Sequence, residues 1–468
     1  MERVAAGLVA LGIGKGDRLA VQADKSLAQA FLYLATLRIG AVYVPLNPAY
    51  GPEEVGYFLD DSQPRLFVCD PANSDSRRRL AAAADAGVFT LDGDGSGSLT
   101  DALAGMHAPA PPVPVGSEDL AVIIYTSGTT GRSKGAMLTH GNLLVNARAL
   151  IEVWRIDAAD VLVHALPLFH IHGLFVALNT LLLAGGRIRF LRTFDAAMVL
   201  ASLPGATLFM GVPTYYTRLL ASGTLDRNIV RDIRLFICGS APLLPQTFLQ
   251  FEAATGQRIA ERYGMSECGI ICATAAGGPR VPGAVGLPLP GVQLRIVDPH
   301  GQPVERGSAG GIEVRGPHVC AGYWRHADRA ASGFRDDGFF VTGDVARQDP
   351  EGYVHIVGRT KDLIITGGLN VYPREIELVL DALPDVIESA VIGLPHPDFG
   401  EAVAAVICRA PDAPAFDREA FLLGARRHLA GFKLPKAILP VDELPRNSMG
   451  KVQKAALRER FAATFAPR

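Results

Sequence analysis

The sequence lacks a strong charge imbalance and any apolar run long enough to cross a membrane. Its 468 residues carry 45 Lys and Arg against 47 Asp and Glu, a formal net charge of −2. This balance gives no electrostatic reason to expect a nucleic acid or an anionic membrane as a partner. No apolar run reaches the roughly 18 residues that a membrane-spanning helix needs, and the first residues show no signal-peptide pattern. We therefore expect no nucleic-acid partner, no membrane span and no obligate protein partner.

Cysteine is scarce and scattered, with six residues and no CxxC pair. The six are Cys69, Cys238, Cys268, Cys272, Cys320 and Cys408. A zinc site is not expected, because Cys268 and Cys272 lack a second pair of ligands at a suitable spacing. Dispersed cysteines in a chain of this length are typical of reduced, buried thiols, and they predict a cytoplasmic protein.

The chain is too long for a single hydrophobic core, so two or three domains are expected. Helical patterns alternate with short apolar runs at 18–21, 41–44, 66–68 and 88–91, which predicts an α/β fold with layered sheets. A second α/β region follows from about 140 to 275. Glycine-rich short strands over 285–357 predict a small β subdomain. The remaining residues predict a compact α+β unit, with helices near 373–382 and 417–429 and strands near 390–393 and 402–408.

The most informative segment is residues 125–136, which follows an apolar run that predicts a buried strand. It reads Tyr-Thr-Ser-Gly-Thr-Thr-Gly-Arg-Ser-Lys-Gly-Ala. Glycines let backbone N–H groups approach an anion, and the hydroxyls and lysine add donors and charge. The spacing of a Walker A loop is not met, because Gly128 and Gly131 precede Lys134 in the wrong register. The segment predicts a phosphate-binding loop of another kind.

This loop resembles the phosphate loop of the adenylate-forming superfamily, which includes acyl-CoA synthetases, adenylation domains of peptide synthetases and luciferases. Four further motifs occur in the order of that family and extend the resemblance from about residue 120 to 455. They are Tyr263-Gly264-Met265-Ser266-Glu267, Thr342-Gly343-Asp344, Gly358-Arg359-Thr360-Lys361-Asp362 with the following Gly367-Gly368-Leu369, and Pro445-Arg446-Asn447-Ser448-Met449-Gly450-Lys451.

The resemblance implies two domains. Residues 1–357 would form the AMP-binding domain, and residues 358–468 a small mobile domain that rotates about a hinge near Lys361. Family members usually carry several dozen residues before the helix predicted at 4–11. The resemblance therefore implies that the extreme N-terminus of the first domain is absent from this sequence.

The resemblance also implies ATP, Mg²⁺ and coenzyme A as cofactor and co-substrates. Nucleotide contacts would come from Thr126, Ser127, Gly128, Thr129, Thr130, Lys134, Gly239, Ser240, Ala241, Tyr263, Gly264, Ser266, Asp344 and Arg359. Within this set Asp344 would bind the ribose, and Ser266 replaces a threonine that most relatives carry. Glu267 would bind Mg²⁺, which prefers one or two hard oxygen ligands together with water. Gly368, with Gly367, would let the pantetheine arm of coenzyme A pass.

Lys451 is the implied catalytic cation. Attack of a carboxylate on the α-phosphate brings two anions together, and an ammonium that contacts both offsets their repulsion in the transition state. Taken alone, a lysine near a C-terminus is usually a solvated surface residue. Its motif setting favours the catalytic role here.

The acid pocket is predicted from the segment 167–173 and from residues near Arg262. By resemblance His170 lines this pocket. An arginine facing a pocket is costly without an anion, and a guanidinium binds a carboxylate in bidentate fashion. The wider sequence is most similar to malonyl-CoA synthetases, so we expect Arg262 to bind the second carboxylate of malonate. Arg280 is a second candidate partner, and Arg234 a weaker one.

Two pocket positions depart from that pattern. Ile171 stands where a threonine is common and Ile270 where a methionine is common. Both could shift the preference towards C2-substituted malonates such as methylmalonate.

Three other interpretations stay open at this point. Arg262 could pair with a protein carboxylate, in which case the acid would be another short-chain acid. The chain could be an adenylation module that serves a carrier protein in trans. It could also be an inactive relative that only binds its ligands, although Lys451, Glu267 and Asp344 argue against this.

Overall fold

The computed structural model describes residues 1–105, 111–126, 133–326, 333–367, 369–410, 413–447 and 450–465. Within these ranges the chain forms four β-sheets with helices packed against them. The predicted α/β fold of layered sheets, with a small β subdomain and a separate α+β unit, is confirmed. No helix in these ranges combines the length and the apolar character that crossing a lipid bilayer requires.

The first sheet has six strands in the order β4-β3-β1-β2-β5-β6. Its strands are β1 Arg18–Gln22, β2 Val42–Pro45, β3 Leu66–Cys69, β4 Gly87–Thr90, β5 Leu120–Thr126 and β6 Lys134–Thr139. Its helices are α1 Glu2–Ala10, α2 Leu27–Arg38, α3 Pro52–Ser62, α4 Ser74–Ala83 and α5 Ser98–Leu103. All pairings are parallel except the β5–β6 hairpin. This hairpin therefore carries the phosphate-loop segment at its tip.

The second sheet has seven strands in the order β13-β12-β11-β10-β9-β7-β8. Its strands are β7 Val161–His164, β8 Arg187–Phe190, β9 Leu208–Gly211, β10 Leu235–Cys238, β11 Ile259–Met265, β12 Gly269–Ala273 and β13 Leu287–Pro288. Its helices are α6 His140–Trp154, α7 Thr180–Leu183, α8 Ala196–Ser202, α9 Pro213–Ala221 and α10 Pro245–Thr255, and a π-helical segment covers His172–Asn179. Single π-helical turns inside helices are frequent at functional sites.

The third and fourth sheets are smaller. The third is antiparallel and consists of β14 Gln293–Val297, β15 Gly310–Arg315, β16 Phe340–Gln348 and β17 Val354–Arg359. The fourth consists of β18 Ile364–Thr366, β19 Leu369–Val371, β20 Val386–His396, β21 Gly400–Arg409 and β22 Ala437–Val441. Helices α11 Pro373–Leu380, α12 Arg418–Arg426 and α13 Lys454–Arg460 belong to the same unit.

Local sequence explains where the helices that flank the site begin. Helix α2 starts after Ser26, whose hydroxyl accepts a hydrogen bond from the Gln29 N–H. Helix α6 starts with a capping box, in which the side chains of Thr139 and Asn142 each accept from the other's backbone N–H. Both helices follow strands of the first sheet or the loops that leave it, so these caps fix where the chain turns back over the sheet.

The predicted strands of the first sheet agree with the observed ones to within a residue at most ends. In the last unit the strands are longer than expected, since β20 extends several residues beyond 390–393 at both ends and β21 slightly beyond 402–408. The predicted helices at 373–382 and 417–429 end earlier, at Leu380 and Arg426. The expected domain boundary after residue 357 lies inside β17, and the chain leaves the third sheet at Arg359.

Candidate active site

The β5–β6 hairpin and the turn after β11 meet at Glu267. Thr126 and Lys134 face each other at the open end of the hairpin. The Thr126 hydroxyl donates to Glu267 Oε1 at 3.0 Å, and the Tyr323 hydroxyl donates to the same oxygen at 3.0 Å. The predicted phosphate contacts Ser127, Gly128, Thr129 and Thr130 lie outside the described residues. The two ends of their loop nevertheless open beside the carboxylate that was predicted to bind metal.

Glu267 has the properties of a carboxylate that accepts a divalent cation. Its side chain is buried, at 6% exposure. Among the described residues no Lys or Arg forms an ion pair with it, and its Oε2 accepts no hydrogen bond. The same residues hold no cluster of three metal-ligating side chains. This suits Mg²⁺, which needs only one or two carboxylates when a nucleotide supplies the remaining oxygens.

Asp344 lies at the junction of the second and third sheets. The Tyr263 hydroxyl donates to Asp344 Oδ2 at 2.6 Å, and Arg359 Nε pairs with Oδ1 at 3.1 Å. Burial and the negative charge of Asp344 hold the pKa of the Tyr263 hydroxyl well above its usual value. The carboxylate is thus fixed between the Tyr263 hydroxyl and the Arg359 guanidinium, and its contact with a ribose stays a prediction. Gly264 is the residue after Tyr263, and a Cβ added to it would lie 2.8 Å from the Ile270 Cα.

Ser266 and Ala241 are partly buried beside this junction. Ser266 directly follows β11, which carries Tyr263, and Ala241 follows β10 and Gly239. Their predicted nucleotide contacts remain predictions.

Arg262 is the most unusual charged group at the site. Its side chain is 4% exposed, and burial lowers the pKa of its guanidinium to about 10. Nη2 donates to the Ser240 hydroxyl at 3.2 Å, while the buried Nε has no hydrogen-bond partner. Among the described residues no carboxylate forms an ion pair with it. The Ser240 hydroxyl also lies 3.3 Å from Nδ1 of the buried His172.

The backbone next to Arg262 is shaped to admit its side chain. A Cβ at Gly239 would lie 2.5 Å from Arg262 Nε and 2.6 Å from its Cζ, so only glycine fits there. Ser240 adopts a left-handed backbone conformation with φ 73°, which is uncommon for a non-glycine residue and recurs at functional sites. The segment predicted to contact adenine therefore also supports the acid-side arginine.

Lys451 reaches the same site from the last unit of the chain. The Lys451 N–H donates to Asn447 Oδ1 at 3.0 Å, and the Asn447 N–H donates to the Lys451 carbonyl oxygen at 2.9 Å. Gly450 lies against Thr214 of α9, 3.8 Å from an added Cβ. Burial, followed by the charge of Arg359, lowers the pKa of the Lys451 ammonium to about 8, with further influence from Asp344, Arg262 and Glu267.

His170 lies beside the two basic residues of the pocket, Lys451 and Arg262. Burial of its ring, then the positive charges of Lys451 and Arg262, lower its pKa to about 3. The imidazole is therefore neutral at physiological pH. Its Nδ1 accepts a hydrogen bond from the His172 N–H at 3.3 Å. A neutral His170 next to Arg262 and Lys451 can line a pocket for an anion without adding charge.

The other residues predicted for the acid side are Arg280, Ile171 and Ile270. Arg280 donates to the carbonyl oxygens of Arg258 and Ala276 instead, so its proposed contact with a carboxylate gains no support. Ile171 and Ile270 are 2% and 0% exposed and pack in hydrophobic clusters.

The predicted hinge residue, Lys361, lies in a short 3₁₀ turn just after Arg359. Gly368, predicted to face the pantetheine arm, lies outside the described residues.

Tyr323 is a site residue that the sequence did not reveal. It donates to Glu267, and its ring lies 5.3 Å from Lys134 Nζ. A bridge to Ala136 joins it to β6. Only the Gly322-Tyr323-Trp324 string could have signalled it, and a lone tyrosine beside a glycine carries no specific pattern.

The geometry defines a nucleotide-dependent enzyme whose site is shared by a large α/β unit and a small C-terminal unit. The family model described as AMP-binding enzyme matches residues 1–324, and the model described as AMP-binding enzyme C-terminal domain matches residues 375–451. The chain belongs to this AMP-binding family, the adenylate-forming superfamily that its motifs resemble.

Similar proteins extend this assignment. A feruloyl-CoA synthase from an Amycolatopsis species is 36% identical over 98% of this chain and 92% of its own length. A malonate–CoA ligase from Arabidopsis thaliana is 34% identical over 95% of this chain and 78% of its own. The crystal structure of ATP-bound MatB from Rhodopseudomonas palustris superposes on this chain with a TM-score of 0.97. The two sequences are 52% identical, and the match covers 99% of this chain and 92% of the MatB chain. Apo MatB superposes with a TM-score of 0.85 at the same identity and coverage. The prediction of an acyl-CoA synthetase is confirmed at the level of enzyme class.

Proposed function

We propose that this enzyme uses ATP to activate malonate or methylmalonate as an acyl-adenylate and then transfers the acyl group to coenzyme A. The family membership supports the two-step reaction, and relatives that carry CoA-ligase names support the thiol acceptor. The products would be the acyl-CoA thioester, AMP and pyrophosphate.

Overall similarity does not choose the acid. The feruloyl-CoA synthase and the malonate–CoA ligase are 36% and 34% identical to this chain, although their names indicate chemically different acids. The choice must come from the pocket itself. Ferulate has one carboxylate, which the adenylation reaction consumes. It would leave a buried guanidinium without an anion.

The single observation that carries the dicarboxylate is Arg262. It is a buried cation with an unpartnered Nε, and its one described side-chain hydrogen bond goes to a neutral hydroxyl. An uncompensated buried charge is expensive, and a paired one is much less so. A second carboxylate on the substrate would supply the missing partner. Ser240 and Gly239 support this role, because one orients the guanidinium and the other makes room for it.

In the first half-reaction a carboxylate oxygen of the acid attacks the α-phosphorus of ATP. A bond forms between that oxygen and phosphorus, and the bond to the β-phosphate bridging oxygen breaks to release pyrophosphate. Lys451 would contact both approaching anions, and Asp344 would hold the ribose. Glu267, with Thr126 on its inner oxygen, would hold Mg²⁺, which neutralises phosphate charge when it is bound.

In the second half-reaction the thiol of coenzyme A attacks the acyl carbon. A carbon–sulfur bond forms, the carbon–oxygen bond to AMP breaks, and the thiol proton is lost. Lys451 occupies the site in the orientation seen here. We propose that residues from about 358 to 468 rotate about Lys361 to admit the thiol, with Gly367 and Gly368 then facing the acyl group.

The same observations rank the alternatives. Internal pairing of Arg262 would favour another short-chain acid, but no described carboxylate pairs with it. Transfer to a carrier protein in trans would need a surface that binds the carrier, and no observation on the described residues supports one. The six cysteines are buried and form no disulfide among the described residues, which supports a reducing compartment such as the cytoplasm.

The test replaces Arg262 with alanine and measures AMP release with malonate, methylmalonate and propionate. Removing one partner of a desolvated charge pair costs about 3–5 kcal/mol. We therefore expect the efficiency with malonate and methylmalonate to fall by roughly a hundredfold or more. Propionate should be used no worse than by the wild type, and the KM for ATP should change little.

Arg234→Ala is the matched control. Arg234 lies on the same sheet, but its guanidinium pairs with Asp160 at 2.5 Å. Its loss should lower stability without changing the preference for malonate over propionate. A wild type that prefers propionate, or an Arg262→Ala variant that loses all three acids equally, would contradict the dicarboxylate proposal.

A further inference from the structure

A second buried basic residue, Lys25, lies outside the site and is used by no step of the reaction. Its side chain is 8% exposed, it follows β1 just before α2, and burial lowers the pKa of its amine well below the usual value. Nζ lies 2.8 Å from His164 Nδ1 and donates to the His164 carbonyl oxygen at 2.8 Å. The amine also lies 4.4 Å from the centre of the Phe190 ring. Among the described residues no carboxylate pairs with it.

His164 connects Lys25 to Gly173. It ends β7, is fully buried, and its Nε2 lies 2.9 Å from the Gly173 carbonyl oxygen. Since a lysine amine at Nδ1 is a donor, the imidazole must accept there and carry its proton on Nε2. Burial and the neighbouring Lys25 charge lower the pKa of His164 to about 3, which agrees with a neutral ring. The Nε2–H therefore donates to Gly173.

The bond to Gly173 closes the segment that carries the acid-pocket histidines. His164 and Gly173 bracket His170 and His172, and a Cβ at Gly173 would collide with the Pro167 carbonyl oxygen. The segment is thus folded tightly on itself between two fixed points. From its far end His172 reaches Ser240, which in turn holds Arg262. Two sets of polar contacts, joined by the peptide bond between His172 and Gly173, thus connect Lys25 to the guanidinium.

We propose that Lys25 and His164 are positioning residues for the acid, because together they fix the 164–173 segment on which His170 and His172 face the bound carboxylate. This inference rests on the proposed activation of an acid by the enzyme. It assigns a selective role: loss of the Lys25–His164 contacts should loosen acid binding more than ATP binding, because the predicted phosphate and ribose contacts Thr126, Lys134 and Asp344 lie on β5, β6 and β16.

The test measures the KM for malonate and the KM for ATP in the full-length enzyme. Lys25→Met keeps the aliphatic stem and removes the donors. His164→Asn places an amide near the Nδ1 position and loses the bond to Gly173, whereas His164→Gln places an amide donor near Nε2 and can keep it. A lost hydrogen bond with a buried group left unsatisfied should raise the malonate KM roughly tenfold, with the ATP KM within about twofold.

His164→Gln should recover most of the malonate affinity that His164→Asn loses. Tyr33→Phe is the matched control. It removes the partner of Asn179 Nδ2, at 2.9 Å, at the other end of the π-helical segment, and should lower the melting temperature without changing the ratio of the two KM values.

Parallel increases in both KM values, an unchanged malonate KM, or equal behaviour of the two His164 variants would overturn the inference. If Lys25→Met does not fold, the His164 pair decides the question alone. A wild type that activates no acid at all would refute the proposed function instead, so the two failures are distinguishable.

Discussion

At the scale of single residues, Lys451 is the group whose charge the proposed first half-reaction needs. Lys451→Ala should abolish acyl-adenylate formation, because its ammonium would contact both the carboxylate and the α-phosphate and offset their repulsion. The second half-reaction, started from supplied acyl-adenylate and coenzyme A, should stay largely intact. Pyrophosphate exchange and thioester formation, measured separately, check this. Normal adenylation by the variant would remove Lys451 from the mechanism.

The lowered pKa of Lys451 also predicts a pH dependence. The ammonium is the active form, and its pKa in the folded enzyme is about 8. The kcat/KM of adenylation, which reports the free enzyme, should therefore fall as the pH rises through about 8. Thioester formation from supplied adenylate should not fall over the same range, because it needs the thiolate rather than this ammonium. A flat alkaline limb for adenylation would contradict the assignment.

Most of the charged residues of the site could be predicted from motifs, and their contacts could not. Glu267, Asp344 and Lys451 stand in ordered strings that indicate their roles. Tyr323 and the Lys25–His164 pair stand in none. Their positions depend on contacts between segments far apart in sequence, such as the 139 positions between Lys25 and His164. No local pattern encodes a contact of that kind.

At the scale of elements, helix α3 holds both ends of the phosphate-loop hairpin. The Tyr57 hydroxyl donates to the Ser133 carbonyl oxygen at 2.7 Å, and the Tyr125 hydroxyl donates to Asp61 Oδ2 at 2.5 Å. Tyr57→Phe removes the first of these bonds at a cost of about 1 kcal/mol. We expect the ATP KM to rise roughly fivefold, while the malonate KM and the melting temperature change little.

Tyr216→Phe is a suitable control for that prediction. The Tyr216 hydroxyl, on α9, also donates to a backbone carbonyl oxygen, that of Ile237 in the second sheet, at 2.7 Å. It should cost stability and spare the ATP KM. An unchanged ATP KM in Tyr57→Phe would show that the helix does not position the loop.

Element prediction succeeded where burial dominates. Strands β2 and β3 of the first sheet are short, apolar and buried along their whole length, so a run of apolar residues predicts them directly. The long β20–β21 hairpin was underestimated because its outer ends are more polar and exposed. Pairing between the two strands, rather than hydrophobicity, extends them there.

At the scale of the whole molecule, the observed arrangement is the one that the proposed first half-reaction requires. Lys451 lies within the influence of Asp344 and Glu267, and the chain superposes better on ATP-bound than on apo MatB. Lys361→Pro should fix one backbone dihedral at the proposed hinge and hinder rotation. Adenylate formation should persist while transfer to coenzyme A collapses.

Lys361→Ala is the control for the hinge, since it removes the side chain and leaves the backbone free. It should retain both half-reactions. Equal loss of both steps in Lys361→Pro would indicate misfolding or a hinge elsewhere, and the helical signal and melting temperature separate these two explanations.

The contact between Gly239 and Arg262 constrains how such a pocket can arise. In its observed position the Arg262 side chain has room only beside a residue without a Cβ. A side chain at position 239 would displace the guanidinium, whereas loss of Arg262 would leave Gly239 undisturbed. With Arg262 in its proposed role, a preference for two carboxylates can be lost by one substitution, but gained by one substitution only where the glycine is already present.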